Sequence, residues 1–244
     1  MLVELPLRSD REPVVGSGKG GDDTTAIDAA AERAILARFE ELDGLTIVSE
    51  EVGVIGDGAT FVVIDPIDGS LNAKRGIGFF ALSIAVASGP TMGDVDFGFV
   101  HDFGTGEEWT ATRGEGATLD GRPLEGDLPK ERIEILAFEA TRTASVAEKA
   151  AAVVDLAYRL RIMGSLALSL CHLAAGRIDA VCSLKPARSV DIAAAQLLVL
   201  ERGLAIDLPD APPFAAAPLD VEGRSRVVAA GTPDLCRQLA AALG

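Results

Sequence analysis

Several things are scarce in this chain, and each scarcity excludes something. Of 244 residues only three are cysteine, Cys171, Cys182 and Cys236, widely spaced and without a CxxC pair. Each sits among apolar residues as a buried thiol would, so no disulfide framework is implied and the reducing cytosol is the default compartment. Aromatic residues make up 5% against 48% hydrophobic residues in all, so the core must rest on Ala, Val, Leu and Ile. No apolar run approaches the ~20 residues that a membrane-spanning helix needs. The stretch Met1 to Asp10 has no apolar h-region and carries Glu4, Arg8 and Asp10, unlike a signal peptide. Lysine is confined to Lys19, Lys74, Lys130, Lys149 and Lys185, while arginine is plentiful.

What is abundant is negative charge. The formal net charge is -15, which argues against nucleic acid or an anionic membrane as partner. An anionic substrate would therefore need local cations. Solubility accounts for the acidity most simply. Scarce lysine on an acidic surface also fits a salty cytoplasm, and a GC-rich genome favours arginine over lysine equally well.

The length suffices for one domain or two tightly joined halves. The pattern predicts a helix over Asp23 to Glu41, capped by Thr24 or Thr25, with Ile27, Ala30, Ala31, Ala34 and Ile35 at helical spacing and Asp28 and Glu32 on the same helix. Strands are expected at Leu45–Val48, Phe61–Ile64, Phe79–Ser88, Val95–His101 and Glu107–Ala111, then a glycine-punctuated loop over Gly114–Gly121. Beyond residue 125 the rhythm changes. Strands at Ile133–Phe138, Leu160–Met163, Ile178–Cys182 and Arg226–Ala230 alternate with helices at Ala144–Tyr158, Ser165–Ala175, Val190–Glu201 and Pro233–Leu243. This predicts an α+β half over residues 1–125 and an α/β half over residues 126–244, layered as one unit.

Acids stand where strands end. Glu50 and Glu51 follow one strand, Asp65 and Asp68 follow the next, and Asp191 opens a helix. Open α/β sheets place ligands at such ends. In Asp65-Pro66-Ile67-Asp68-Gly69-Ser70, Pro66 removes a backbone donor and Gly69 permits a tight turn, so both aspartates can aim at one point. Two carboxylates that close repel unless a cation separates them, and an oxygen-only set suits magnesium. Alone, the hexapeptide reads equally as an Asx turn in a surface loop, and Glu50-Glu51 alone reads as a solvated pair. The strand leading into the first and the nearness of the second shift the balance toward a cation site. His101 and His172 have no partners at ligand spacing, and Trp109 reads as core.

At these residues the chain resembles the inositol monophosphatase superfamily, and most of all its archaeal branch that joins inositol monophosphatase and fructose-1,6-bisphosphatase activity. The matching segments run in order: Gly21-Asp22-Asp23-Thr24-Thr25-Ala26-Ile27-Asp28, Ile47-Val48-Ser49-Glu50-Glu51-Val52-Gly53, Val63 to Asn72, Gly76-Ile77-Gly78-Phe79-Phe80, Gly114-Glu115-Gly116-Ala117, Arg161-Ile162-Met163-Gly164-Ser165 and Val190-Asp191-Ile192-Ala193-Ala194-Ala195. The resemblance implies a layered αβαβα sandwich of the sugar phosphatase type. It implies a magnesium-dependent phosphomonoesterase, with inositol monophosphate, fructose-1,6-bisphosphate or both as substrate and water activated by two or three metal ions. Manganese is expected to substitute and lithium to inhibit. The implied metal ligands are Glu50, Asp65, the carbonyl of Ile67, Asp68 and Asp191. Asp28 and Ser70, beside Glu50, would orient and deprotonate water. Asp68, Gly69, Ser70, Arg161, Leu166 through its backbone, Lys185 and Arg188 would meet substrate. A homodimer in the cytoplasm, a small phosphorylated sugar or cyclitol as ligand, and no nucleic acid or membrane partner complete the expectation. The alternatives are a nucleotide 3'-phosphatase of the same superfamily, which Leu71-Asn72 argues against, and a non-catalytic regulatory homologue that binds a protein.

The chain also departs from the pattern. Only thirteen residues precede Val14, where the family has an N-terminal helix that helps dimer packing and steadies the loop Gly16 to Gly21. Ser183 stands where an acid commonly touches sugar hydroxyls, and the loop Lys185 to Val190 is one residue shorter. Lys185 replaces an arginine and so gives up bidentate phosphate recognition. Ser70 replaces the usual threonine and keeps the hydroxyl.

Overall fold

A computed structural model describes residues 5–21, 23–39, 41–126, 132–139, 142–211 and 213–244. Asp22 of the first matching segment and Lys130 lie outside them. The one-turn helix α1 (Arg8–Arg11) and the antiparallel pair β1 (Val14–Ser17) and β2 (Asp23–Thr25) lead into helix α2 (Ala26–Leu36). Next come β3 (Leu45–Ser49), β4 (Gly53–Ile55), β5 (Thr60–Asp68), the short helix α3 (Ser70–Arg75), β6 (Ala81–Ala87), β7 (Val95–Asp102), β8 (Glu108–Thr112), β9 (Gly116–Leu119) and β10 (Arg122–Pro123). The remaining elements are β11 (Ile133–Glu139), α4 (Thr143–Ala150), β12 (Ala157–Arg161), α5 (Leu166–Ala174), β13 (Ala180–Ser183), α6 (Ala193–Glu201), β14 (Ala205–Asp207), β15 (Val228–Ala230) and α7 (Pro233–Leu243).

Strands β3 to β10 form one sheet in the order β10-β9-β8-β7-β6-β5-β3-β4. A second sheet has the order β12-β11-β13-β15-β14. Helices α5 and α6 lie between the sheets. Their apolar residues, Leu168, Leu170, Ala194 and Leu198 among them, share one core with Val63, Ala85 and Val100 of the first sheet and Ala137, Val181 and Ala229 of the second. The alternate residues Leu136, Phe138, Ala180 and Cys182 face outward onto Leu235, Cys236 and Leu239 of α7. Both faces of this sheet are thus covered, which is why β11 and β13 read as continuous apolar runs. Ile27 and Ala31 of α2 cover the other side of the first sheet, with Ile67, Ala73 and Phe80. The result is the layered αβαβα sandwich.

Several expectations change in detail. The helix expected from Asp23 starts at Ala26, because Asp23–Thr25 pairs with β1. Thr25 stands at its N-cap, and its backbone N donates to Oδ2 of Asp28 three residues on at 3.1 Å, as in a capping box. The expected helix Ala144–Tyr158 stops at Ala150, followed by a 3₁₀ turn over Ala151–Val153. Ala157 and Tyr158 already belong to β12, where pairing with β11 overrides local helical spacing. The expected loop Gly114–Gly121 holds β9, which pairs with β8. The helix expected from Val190 begins at Ala193, so Asp191 lies in the turn before it.

Candidate active site

The stretch Asp65 to Ser70 is only partly a turn. β5 continues to Asp68, and its pairing with β6 slips between Asp65 (opposite Ser83) and Asp68 (opposite Ala81). Three steps on one strand face two on the other, which is a β-bulge. Pro66, with no N–H to give the ladder, is tolerated at a bulge. In an unbroken strand residues three apart point to opposite faces. Here Val63 packs in the core between the sheets while Ile67 packs beneath α2, so the extra residue has reversed the alternation. The bulge therefore brings Asp65 and Asp68 to the same side. Gly69 follows at φ +97°, where a Cβ would stand 2.9 Å from the carbonyl oxygen of Gly164.

Around these aspartates the acids converge. Carboxylate oxygens of Glu50, Asp65 and Asp191 lie within 4.8 Å of one another. Asp65 is 1% exposed, and Ile67 N donates to its Oδ1 at 3.0 Å. Asp68 Oδ2 accepts from Ser165 Oγ and Ala167 N, each at 2.6 Å. Burial, followed by repulsion from Glu50, Asp68 and Asp191, holds the Asp65 carboxyl well above the usual range. Burial raises Glu50 to about 8 despite Arg188, and raises Asp68 to about 7 against its bond from Ser165. Such a cluster binds protons in place of a cation. The donor set is all oxygen, and a buried oxygen beside it, Asp28 Oδ1, has no hydrogen-bond partner. These residues fit a hard dication.

Two adjoining cavities open on the cluster. One, about 320 Å³, is lined by Asp23, Asp28, Glu50, Glu51, Asp65, Ile67, Asp68, Gly69, Ser70, Lys74 and Arg188. The other, about 440 Å³, is lined by Gly20, Gly21, Asp68, Glu139, Gly164, Leu166, Ser183, Lys185, Pro186, Ala187, Arg188, Asp191 and Arg224. Asp68 and Arg188 border both. Arg188 is a cation already inside the cluster. Its Nη1 donates to Glu50 Oε1, and its Nη2 donates to Asp191 Oδ1 at 2.8 Å. Burial opposes the charge on Arg188, but Asp191 and Glu50 outweigh that and raise its pKa. The loop before β2 is tied over the same place: Gly20 N donates to the Glu50 carbonyl at 2.8 Å, and Arg224 Nη2 donates to the Gly20 carbonyl at 2.6 Å.

Of the residues expected from sequence, Asp28, Glu50, Asp65, Ile67, Asp68, Gly69, Ser70, Leu166, Lys185, Arg188 and Asp191 all line one cavity or the other. Two relationships differ from expectation. The Ser70 hydroxyl donates to the Ile67 carbonyl at 3.0 Å rather than to Asp28, whose Oδ2 is taken by Thr25. Arg161 lines neither cavity. It is exposed on β12, the edge strand, and its Nη1 donates to the Leu160 carbonyl at 2.9 Å. Alternation sets Arg161 on the opposite face from Leu160, beside Ala137, and its place on the edge strand leaves it exposed. Sequence reasoning passed over Lys74, Glu139 and Arg224. Lys74 follows Ser70 by four residues, and Glu139 ends a strand as Asp65 was expected to, so both carried a local signal. Arg224, in the segment between β14 and β15, carried none.

With this geometry in place, comparison with known proteins is informative. The model of the inositol monophosphatase family matches residues 6–243. The fructose-1,6-bisphosphatase/inositol-1-monophosphatase of Archaeoglobus fulgidus is 33% identical over 233 residues, covering 94% of this chain and 87% of its own length. The Nus factor SuhB of Escherichia coli is 33% identical over 249 residues, covering 95% and 90%. Among solved structures, an inositol monophosphatase–fructose 1,6 bisphosphatase superposes with a TM-score of 0.85 at 30% identity, covering 98% of this chain and 92% of that one. Sandwich, acid cluster and end-to-end similarity agree: the chain belongs to the inositol monophosphatase family.

Proposed function

We propose that the chain is a Mg2+-dependent phosphomonoesterase of small phosphorylated sugars or cyclitols, with inositol monophosphate, fructose-1,6-bisphosphate or both as substrate. One observation carries this reading: three carboxylates from separate segments, Asp65 buried and Glu50 and Asp191 half-buried, meet within 4.8 Å, and basic side chains line the cavity beside them. Glu50, Asp65, Asp68, Asp191 and the carbonyl of Ile67 would hold the cations. Bound there, magnesium would acidify water and offset the charge of the phosphate and the leaving oxygen.

The chain's own residues do the rest. Asp28 keeps Oδ1 buried and unpartnered at the edge of the smaller cavity, so it can accept a proton or a hydrogen bond from water. The Ser70 hydroxyl bonds a carbonyl that has a second lone pair, and it can rotate toward Asp28 or toward a phosphate oxygen. Lys185 and Arg224 on one side and Lys74 on the other supply the local positive charge that a chain of net charge -15 needs to attract an anion. Water then displaces the alcohol at phosphorus, with the departing alkoxide taking up a proton and inorganic phosphate released. Residues 1–125 and 126–244 act as one unit, since Asp191 and most of these basic groups come from the second half and the other acids from the first.

Relatives named as a Nus factor raise the reading of a regulatory, non-catalytic protein. The complete carboxylate set favours the enzyme, because a binding module gains nothing from holding three acids within 4.8 Å of one another. Phosphate release from inositol-1-phosphate and fructose-1,6-bisphosphate, measured with and without Mg2+ at low and high KCl, tests the proposal. Release that needs Mg2+ and that Li+ suppresses is expected. No release from either ester under any of these conditions would sink the enzymatic reading.

A further inference from the structure

Among the described residues, Glu139 is the one acid on the larger cavity's wall that the proposed chemistry does not use. It ends β11, is 1% exposed, and lies opposite Ser183 of the parallel strand β13. Its partners are neutral: Gly164 N donates to Oε2 at 2.8 Å and Ser169 Oγ donates to Oε1 at 2.6 Å. Burial pushes its pKa up to about 7, against both of those bonds. Placing an acid there costs free energy that an apolar side chain would not. What it obtains is a grip on the turn that starts α5.

The same turn is gripped by Asp68. Counting along the chain, Glu139 takes Gly164 N, Asp68 takes Ser165 Oγ and Ala167 N, and Glu139 takes Ser169 Oγ. The two acids alternate along six residues, one from each sheet. The turn is held elsewhere as well. Gly164 has φ +95°, and Asn72 Nδ2 donates to the Met163 carbonyl at 2.7 Å and to the Phe79 carbonyl at 2.8 Å. Ser165 Oγ also caps α5 by accepting from Leu168 N at 3.2 Å. A shift at Gly164 or Ser169 therefore carries Ser165 and Ala167 with it, and these are the hydrogen-bond donors to Asp68.

We propose that Glu139 is a positioning residue: through the Gly164–Ser169 start of α5 it sets where the carboxylate of Asp68 stands in the cation site. This rests on the metal reading above, and the test separates the two. Mn2+ binding to the purified full chain is followed by the electron paramagnetic resonance of free Mn2+, with the thermal midpoint of each variant measured alongside. Partners that orient a ligand typically contribute on the order of 10- to 100-fold in metal affinity. Glu139→Gln keeps the size but puts an amide NH2 against one of the two donors, so it is expected to weaken Mn2+ binding about tenfold or more. Ser169→Ala deletes one donor and leaves the acid, and it is expected to weaken binding less but measurably; it carries the test if Glu139→Gln does not fold. Asp179→Asn is the control. Asp179 is a buried acid at the opposite end of β11 that accepts from Glu134 N and Ile135 N at 2.9 Å, so its loss is expected to lower the thermal midpoint and leave Mn2+ affinity alone. Binding unchanged in Glu139→Gln, or in Ser169→Ala where the former does not fold, would overturn the inference. So would equal weakening in Asp179→Asn, which would mark the effect as general loosening. If the parent chain binds no Mn2+, the metal reading itself fails and this inference falls with it.

Discussion

The two sides of the active-site cleft differ in origin and in charge. Asp28, Glu50, Asp65 and Asp68 come from α2 and the first sheet, whereas Lys185, Arg188 and Arg224 come from segments following β13 and β14. Asp191 crosses this division, and Arg188 binds it and Glu50 together. The acid side is built on strand ends and a bulge inside a covered sheet. The basic side is built on loops, with Lys185 and Arg224 exposed. A cation site needs ligands held in a fixed geometry, while attraction of a phosphate tolerates mobile charges on long side chains. On the proposed function the acid side would carry the chemistry and the basic side would capture substrate, and mutations on the two sides should fail in different ways.

The largest effect is expected on the acid side. Glu50→Gln should lower kcat by at least on the order of 10²-fold, as loss of an acid–base group and cation ligand does, with little change in KM. A KM effect alone, in steady-state kinetics at saturating Mg2+, would erase the contrast. On the basic side, Lys185→Ala should raise KM about tenfold with kcat nearly constant, since one charged hydrogen bond contributes roughly 1.5–3 kcal/mol. A drop in kcat alone would place Lys185 with the chemistry instead.

The acid side should also titrate as a unit. Glu50 is raised to about 8, Asp68 to about 7, and Asp65 is raised as well, chiefly by burial. Between the ordinary carboxylate range and about pH 8 the folded chain therefore holds more protons than the unfolded chain. Stability without added cation should fall as pH rises through that window. Mg2+ must displace those protons, so the rise in Tm on adding Mg2+ should be larger at about pH 8.5 than at about pH 6, with protons released on binding. Equal shifts at both values would contradict the burial of the cluster. The smallest effect is expected at Arg161, which the family resemblance assigns to substrate and which stands exposed on the edge strand outside the lining of both cavities. Arg161→Ala should change KM by less than about twofold, within what an exposed substitution away from special features does. A tenfold rise would show that the side chain reaches the cleft.

The contrast also governs what could be read before folding. Thr25 as a cap, the strands around Glu50 and Asp65, and helices α5 and α7 all rest on neighbours in sequence, so periodicity and capping residues revealed them. The carboxylate set was legible because each acid closes a recognisable strand or opens a turn. The bulge was not, since a spacing of three in Asp65 to Asp68 does not say whether the chain turns or adds a residue to a ladder. β9 was hidden by its flanking glycines, which mark hairpin ends and loops alike. The bond of Ser70 to the Ile67 carbonyl depends on the bulge, and the Arg188–Glu50 pair and the reach of Arg224 to Gly20 depend on segments far apart in the chain. Glu139 follows the same strand-end rule as Asp65, but its function rests on α5, thirty residues on.

Asp65 is the most buried of the three converging acids, so it tests the account most directly. Phosphate release and Mn2+ binding should be measured on one preparation of Asp65→Asn, with circular dichroism to verify the fold. The account predicts an intact fold with both activities lost together. Substantial turnover retained by a folded Asp65→Asn would contradict it.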